Sequence, residues 1–202
     1  DGMQLLHIGT KTSEVMCKYW ERELIGLFHC IGKRYLYDRQ HVNQVERLSL
    51  LMFDKLAKHY GMGERERLLL RGAAILHDLG KFICMRSHSI YSYQLIMATD
   101  IIGFSDRDKK IIALAAYYHA NKLFEAGNAN APVIEKDMVA VVAKLAAIIR
   151  LADALDRSYL QKIRQCSVTI KDKIMYVQAT SKKDLALEEW TFTSKANFFE
   201  EV

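Results

Sequence analysis

For most of its length this chain repeats apolar residues at the three- and four-residue spacing of a helix; near its end the pattern turns to alternation. Residues 12–37 predict one or two helices anchored by Val15, Tyr19, Leu24 and Leu27-Phe28. Asp38 has the chemistry of an N-cap for a helix that runs to Tyr60 and stops at Gly61. On that helix His41, Val45, Leu48 and Met52 share one face, so His41 points toward the core from the first turn. From Glu64 a helix climbs through Leu70 and Ala73-Ala74 to His77, on the same stripe, with Gly80 as its stop. A loop containing His88 leads to a helix from about Ser92 to Ile102, ended by Gly103.

Ser105 and Asp108 form a capping box with Asp in place of Glu. The helix they start puts Ile112, Ala115, Ala116 and His119 on one face. Residues 125–132 read as a surface loop. A helix from about Glu135 to Ser158 follows, with a stripe of Val142, Leu145-Ala146 and Ile149 that lands, four residues on, at Asp153. Residues 166–170 and 174–179 alternate like two strands around the turn 171–173. The tail from Asp184 mixes signals, with a helix expected over 196–201. The fold class is therefore mainly α: a helical bundle over residues 1–160 and a small α+β appendage over 161–202.

Composition narrows the picture. The 202 residues are 50% hydrophobic and 26% charged, with a single proline, the balance of a globular chain rich in long helices. The longest apolar runs fall far short of the roughly 20 residues of a membrane span, and no signal peptide opens the chain, so a membrane partner is not expected. Four scattered cysteines form no CxxC; reduced thiols in the cytoplasm are the expectation. The chain starts at Asp1 without an initiator methionine, which reads as a fragment or a processed product. The net charge of +5 comes in small groups such as Lys109-Lys110 and Lys182-Lys183. These are solvated helix faces or a funnel for an anionic substrate. Aromatics do not interleave with them, so a nucleic-acid groove is not indicated.

The informative feature is where polar groups interrupt apolar faces. His77 and Asp78 close a buried stripe side by side, and His41, His119 and Asp153 end three others, with His88 in the loop after the pair. Each alone has an ordinary explanation: a histidine satisfied in the core, or Asp153 paired with Arg150 or Arg157. Together they form a ligand set, because a cation lets imidazole and carboxylate be desolvated jointly. Nitrogen and oxygen donors without thiolate suit iron, manganese, zinc or nickel, with magnesium as an option. His41, His77, Asp78 and Asp153 suffice for one ion. Adding His88 and His119 allows two ions about 3.5–4 Å apart bridged by Asp78, the arrangement of metal-assisted phosphoryl hydrolysis. Lys81 and Arg157 are then candidates, beside Asp78, for catalytic work on phosphoryl oxygens. His7, His29 and His59 read as surface or packing residues.

The order His41, His77-Asp78, Asp153 resembles the HD superfamily of metal-dependent phosphohydrolases. More closely, Ile75-Leu-His-Asp-Leu-Gly-Lys-Phe-Ile83, Ser87-His-Ser-Ile-Tyr-Ser-Tyr-Gln-Leu-Ile96, Ile111-Ile-Ala-Leu-Ala-Ala-Tyr-Tyr-His119 and Ile149-Arg-Leu-Ala-Asp-Ala-Leu-Asp-Arg-Ser158 are similar to the C-terminal HD-type domain of the exopolyphosphatase / guanosine pentaphosphate phosphohydrolase (Ppx/GppA) family. The strand pair, Leu187-Glu-Glu-Trp190, Asn197-Phe-Phe-Glu-Glu201 and the opening Asp1-Gly-Met fit the same likeness. The resemblance implies an N-terminal actin-like ATPase-type domain as a partner in the full-length protein, to which the family's exopolyphosphatase chemistry is attributed. The present chain has no glycine-rich phosphate loop, so that route is not open to it. Its four HD positions are all filled, which favours a metal-loaded phosphohydrolase acting on a nucleotide, polyphosphate or other phosphorylated small molecule. The alternative is a regulatory module that binds polyphosphate or an alarmone. A purely structural dimerisation domain, the homodimer reading, leaves the ligand set without a use.

Overall fold

The computed structural model describes residues 10–120 and 131–202, with side chains from residue 19 onward. Val15, His7, Cys17, the opening tripeptide and most of the loop expected at 125–132 lie outside the described side chains or residues. Among the described residues seven helices and one hairpin follow in order: α1 (Thr10–Arg34), α2 (Arg39–Tyr60), α3 (Glu64–Leu76), a 3-10 turn (Leu79–Phe82), α4 (His88–Met97), α5 (Asp106–Tyr118), α6 (Val139–Ala154), β1 (Gln165–Lys171), β2 (Ile174–Thr180) and α7 (Ala186–Glu201). This is the mainly α architecture expected, with a small C-terminal appendage.

Local chemistry sets several boundaries. Asp38 starts α2 by accepting hydrogen bonds from the amides of Gln40 and His41 at 3.0 Å, and Gly61 ends it in the left-handed conformation. The Ser105–Asp108 box starts α5. α3 is the central helix and packs against α1, α2, α5 and α6. Its Leu69, Leu70 and Gly72–Leu76 are buried on every side, which explains why its sequence is apolar beyond one stripe. The hairpin turns through Asp172 (φ 50°) and Lys173 (φ 63°), the two positive φ values of a type I′ turn. The inner residues Cys166, Val168, Ile170, Met175 and Val177 pack on the helical body, and β1 lies along α2.

Three helices differ in extent from the sequence expectation. α4 begins at His88 instead of Ser92 and ends at Met97 instead of Ile102. The buried Ser92 hydroxyl does not cap a helix. It donates to the His77 carbonyl at 2.7 Å and accepts from the Gly80 amide at 2.8 Å. α6 runs from Val139 to Ala154, shorter by about a turn at each end; past its C-terminus the amides of Asp156 and Arg157 bond three residues back and unwind it. Residues 186–201 form a full helix, where only 196–201 were expected. α7 returns to pack along α6 and brings the appendage back to the bundle.

Gly80 does not end a helix in the left-handed region. It lies in the 3-10 turn where the backbone of α4 passes so closely that a Cβ would sit 1.9 Å from the His88 carbonyl oxygen and 2.5 Å from the Ser92 amide. Backbone on both sides leaves no side chain to give way. Gly80→Ala is therefore expected to destabilise the protein by about 1–3 kcal/mol, or more if α4 is pushed off. Chemical denaturation measures this; an unchanged midpoint would show that the two backbones are farther apart.

Candidate metal centre

The candidate ligands all sit at helix ends. His41 is in the first turn of α2, Asp153 in the last turn of α6 and His88 at the first residue of α4, while His77 and His119 directly follow α3 and α5. At a helix C-terminus the last carbonyls lack an intrahelical donor. The imidazoles use them: Nδ1 of His77 donates to the Ala74 carbonyl at 2.8 Å and Nδ1 of His119 to Ala116 at 2.5 Å. His88 repeats the three-residue reach, to Met85 at 3.0 Å. His41 instead donates from Nδ1 to Oδ2 of Asp156 at 2.8 Å. With every Nδ1 committed, all four Nε2 atoms are turned into one space, the orienting arrangement that metal-ligating histidines show.

The carboxylates divide that space. Oδ2 of Asp78 lies 3.4 Å from His77 Nε2 and 3.7 Å from His41 Nε2, while its Oδ1 lies 3.5 Å from His88 Nε2 and 3.9 Å from His119 Nε2. Oδ1 of Asp153 is 3.4 Å from His41 Nε2 and 4.0 Å from His77 Nε2. Two overlapping triads result, His41/His77/Asp153 and His77/Asp78/His119, each spaced to hold a metal ion. The fit to a cation rests on more than proximity. The Nε2 atoms of His41 and His77 are buried without a hydrogen-bond partner, a cost that a shared cation removes.

The electrostatics agree. Burial disfavours charge on His41, but Asp153, Asp156 and Asp78 outweigh it and push its pKa up to about 9. A field that holds a proton so firmly attracts any cation. Burial would raise Asp78 and Asp153, yet both are held well below the usual carboxylate range, by His77 and Lys81 in the first case and His41 and Lys195 in the second. Burial lowers His119 and His88, keeping them as the neutral imidazoles that bind metal.

The structure thus brings all six candidate ligands together. Lys81 is also there, its ammonium 2.5 Å from Asp78 Oδ2. Arg157 is exposed and lines the same cleft, which has a volume of ≈ 460 Å³. Neither arginine is the ion-pair partner of Asp153: Arg150 reaches the Tyr118 carbonyl at 3.2 Å, and Lys195 of α7 takes Asp153 Oδ2 at 2.6 Å. His29 bonds Tyr37 away from the site, as a packing residue should.

Three contributors were not expected from the sequence. Asp156, three residues past Asp153, both orients His41 and accepts from the Gln161 amide at 2.8 Å; a second buried acid at the end of the Asp153 stripe was the available signal. Tyr159 sits in the left-handed region (φ 59°), at a backbone cost of about 1–3 kcal/mol. That turn stacks its ring 3.7 Å over His41 and lets its hydroxyl donate to Asp78 Oδ2 at 2.7 Å, with Lys81 also on that hydroxyl. Lys195 had no signal in the sequence, since only the return of α7 carries it to the site.

Asp156→Asn keeps the shape of the His41 anchor and removes its charge. It is expected to weaken Mn²⁺ binding by about 10–100-fold while leaving helix content intact. Calorimetric titration and circular dichroism check this; parental affinity would mean that Asp156 serves the loop alone.

No described helix is long and apolar enough to cross a membrane. Among known families, the model of the Ppx/GppA phosphatase, domain III, matches residues 28–201. The match opens within α1 and runs to the last residue of α7, so it takes in every residue of the centre, including Lys195. The chain belongs to the Ppx/GppA phosphatase family.

Proposed function

We propose that this domain is a metal-dependent phosphohydrolase of the HD type that cleaves phosphoanhydride or phosphoester bonds of a nucleotide or polyphosphate. The observation that carries the reading is the convergence of four anchored imidazoles on two buried carboxylates, with the Nε2 atoms of His41 and His77 left unpartnered. His41, His77, Asp78 and Asp153 would hold one divalent ion, and Asp78 with His88 and His119 a second; iron, manganese, zinc or nickel suit the donors, and magnesium is an option. Bound there, such ions supply Lewis acidity toward a phosphoryl oxygen and acidify a water molecule.

The chain's own groups do the rest. Asp78 offers one oxygen to each side of the centre. Lys81 and Arg157 line the cleft and hold phosphoryl oxygens that do not react. Tyr159 covers the face of His41 and keeps water from it. A cytoplasmic location belongs to the same proposal. So does a division near residue 160, with an N-terminal actin-like ATPase-type domain completing the full-length protein.

One observation favours a second reading. Lys81 and Lys195 neutralise Asp78 and Asp153 from within the chain, as a regulatory module that binds polyphosphate or an alarmone would need. Metal analysis and phosphate-release assays separate the two. His77→Ala and Asp78→Ala are expected to lose bound metal and all hydrolysis while keeping their far-ultraviolet circular dichroism; parental turnover in either variant counts against the hydrolase. His119→Ala is expected to lose one ion of two, and unchanged metal content would make the centre mononuclear. Bound metal with no phosphate released from nucleotides, bis-nucleotides or polyphosphate favours the regulatory module.

A further inference from the structure

The cleft has two chemically different parts. Its floor carries the buried Asp78, Asp153 and His119 with His88 beside them, and its exposed outer wall carries Met85 and Trp190. Trp190 is the most exposed aromatic residue described, at 72%, and it makes no ring contact among the described residues. An indole left in water forfeits the burial that its large apolar surface would gain. It does not stay outside for want of order in α7. Two residues earlier Glu188 is buried, accepts from the Ser158 amide at 3.2 Å and pairs with Lys162 at 3.0 Å. Thr191, next in the chain, is buried and lines the same cleft, and Lys195 is tied to Asp153. The helix is fixed on both sides of Trp190, which holds the indole at the mouth. Met85, 68% exposed, gives the same outer region a second apolar, polarisable group.

We infer that Trp190 is a specificity-determining residue: a stacking platform for a flat ring carried by the substrate, whose phosphoryl groups lie on the floor beside Lys81 and Lys195. The ligand class with that division, an anionic head and a flat aromatic body, is a nucleotide and not a bare inorganic polyphosphate chain. The inference rests on the phosphate-handling reading of the floor given above. Stacking on a fixed ring adds affinity at little entropic cost, since the platform is already ordered.

The test uses the 202-residue chain loaded with Mn²⁺ and two matched kinds of non-hydrolysable probe: methylenediphosphonate, and the α,β-methylene diphosphates of adenosine and guanosine. Trp20→Phe leaves Trp190 as the single tryptophan, so that its fluorescence reports stacking while calorimetry gives each affinity. The nucleotide probes are expected to bind more tightly than methylenediphosphonate and to quench Trp190. Trp190→Ala should weaken the nucleotide probes by roughly 5–100-fold, leave methylenediphosphonate unchanged, and be largely rescued by Trp190→Phe. Equal binding of nucleotide and bare diphosphonate by the parent chain would overturn the inference, as would a Trp190→Ala variant that weakens both alike. Binding of neither probe would overturn the reading of the floor, and this inference with it.

Discussion

Two carboxylates and four imidazoles cannot be gathered in the dry end of a helical bundle unless each has its charge or lone pair answered, and that constraint organises this molecule. The side chains of Asp78 and Asp153 are 7% and 5% exposed, and those of His41 and His77 are fully buried. Their desolvation is offset locally: by Lys81 and Tyr159 on Asp78, by Lys195 on Asp153, by Asp156 behind His41, by free helix-end carbonyls behind His77 and His119, and by the Met85 carbonyl behind His88. The anchoring fixes ring orientation before any ligand arrives. For His77 and His119 the anchor is available because each follows a helix end, where carbonyls three residues back lack an intrahelical donor.

Much of this was legible because it is written locally. The Asp38 cap, the Gly61 stop and the Ser105–Asp108 box are short-range chemistry and set the ends of α2 and the start of α5 where the sequence put them. The stripe His41, Val45, Leu48 and Met52 is buried as its spacing implies. Asp153 stood out because a carboxylate at the end of an unbroken apolar face has few partners to hand, and its position beside His41 and His77 is the outcome of that pattern. The family resemblance agreed, and the match over residues 28–201 includes all of these positions.

What was not legible depends on chain returning from far away. The sequence pattern starts α4 near Ser92, but the helix begins a turn earlier and the Ser92 hydroxyl is spent on a turn twelve residues back. Tyr159 requires a left-handed backbone that no tyrosine advertises. α7 has little one-sided apolar character, so its length was hidden. Its role comes from Glu188 meeting Ser158 and Lys162 and from Lys195 meeting Asp153, contacts that only the folded chain brings together. Residues chosen for what they meet across the fold carry no periodic mark.

The contact at Gly80 has a mechanical consequence. The 3-10 turn after His77-Asp78 is wedged against the first carbonyl of α4, and the Ser92 hydroxyl rivets its amide and the His77 carbonyl to the same helix. His88, the ligand-type residue nearest to solvent at 18% side-chain exposure, therefore shares a rigid mount with the deepest pair. The shallow and deep halves of the cluster cannot drift apart independently; a force that tilts α4 displaces Asp78 by the same lever.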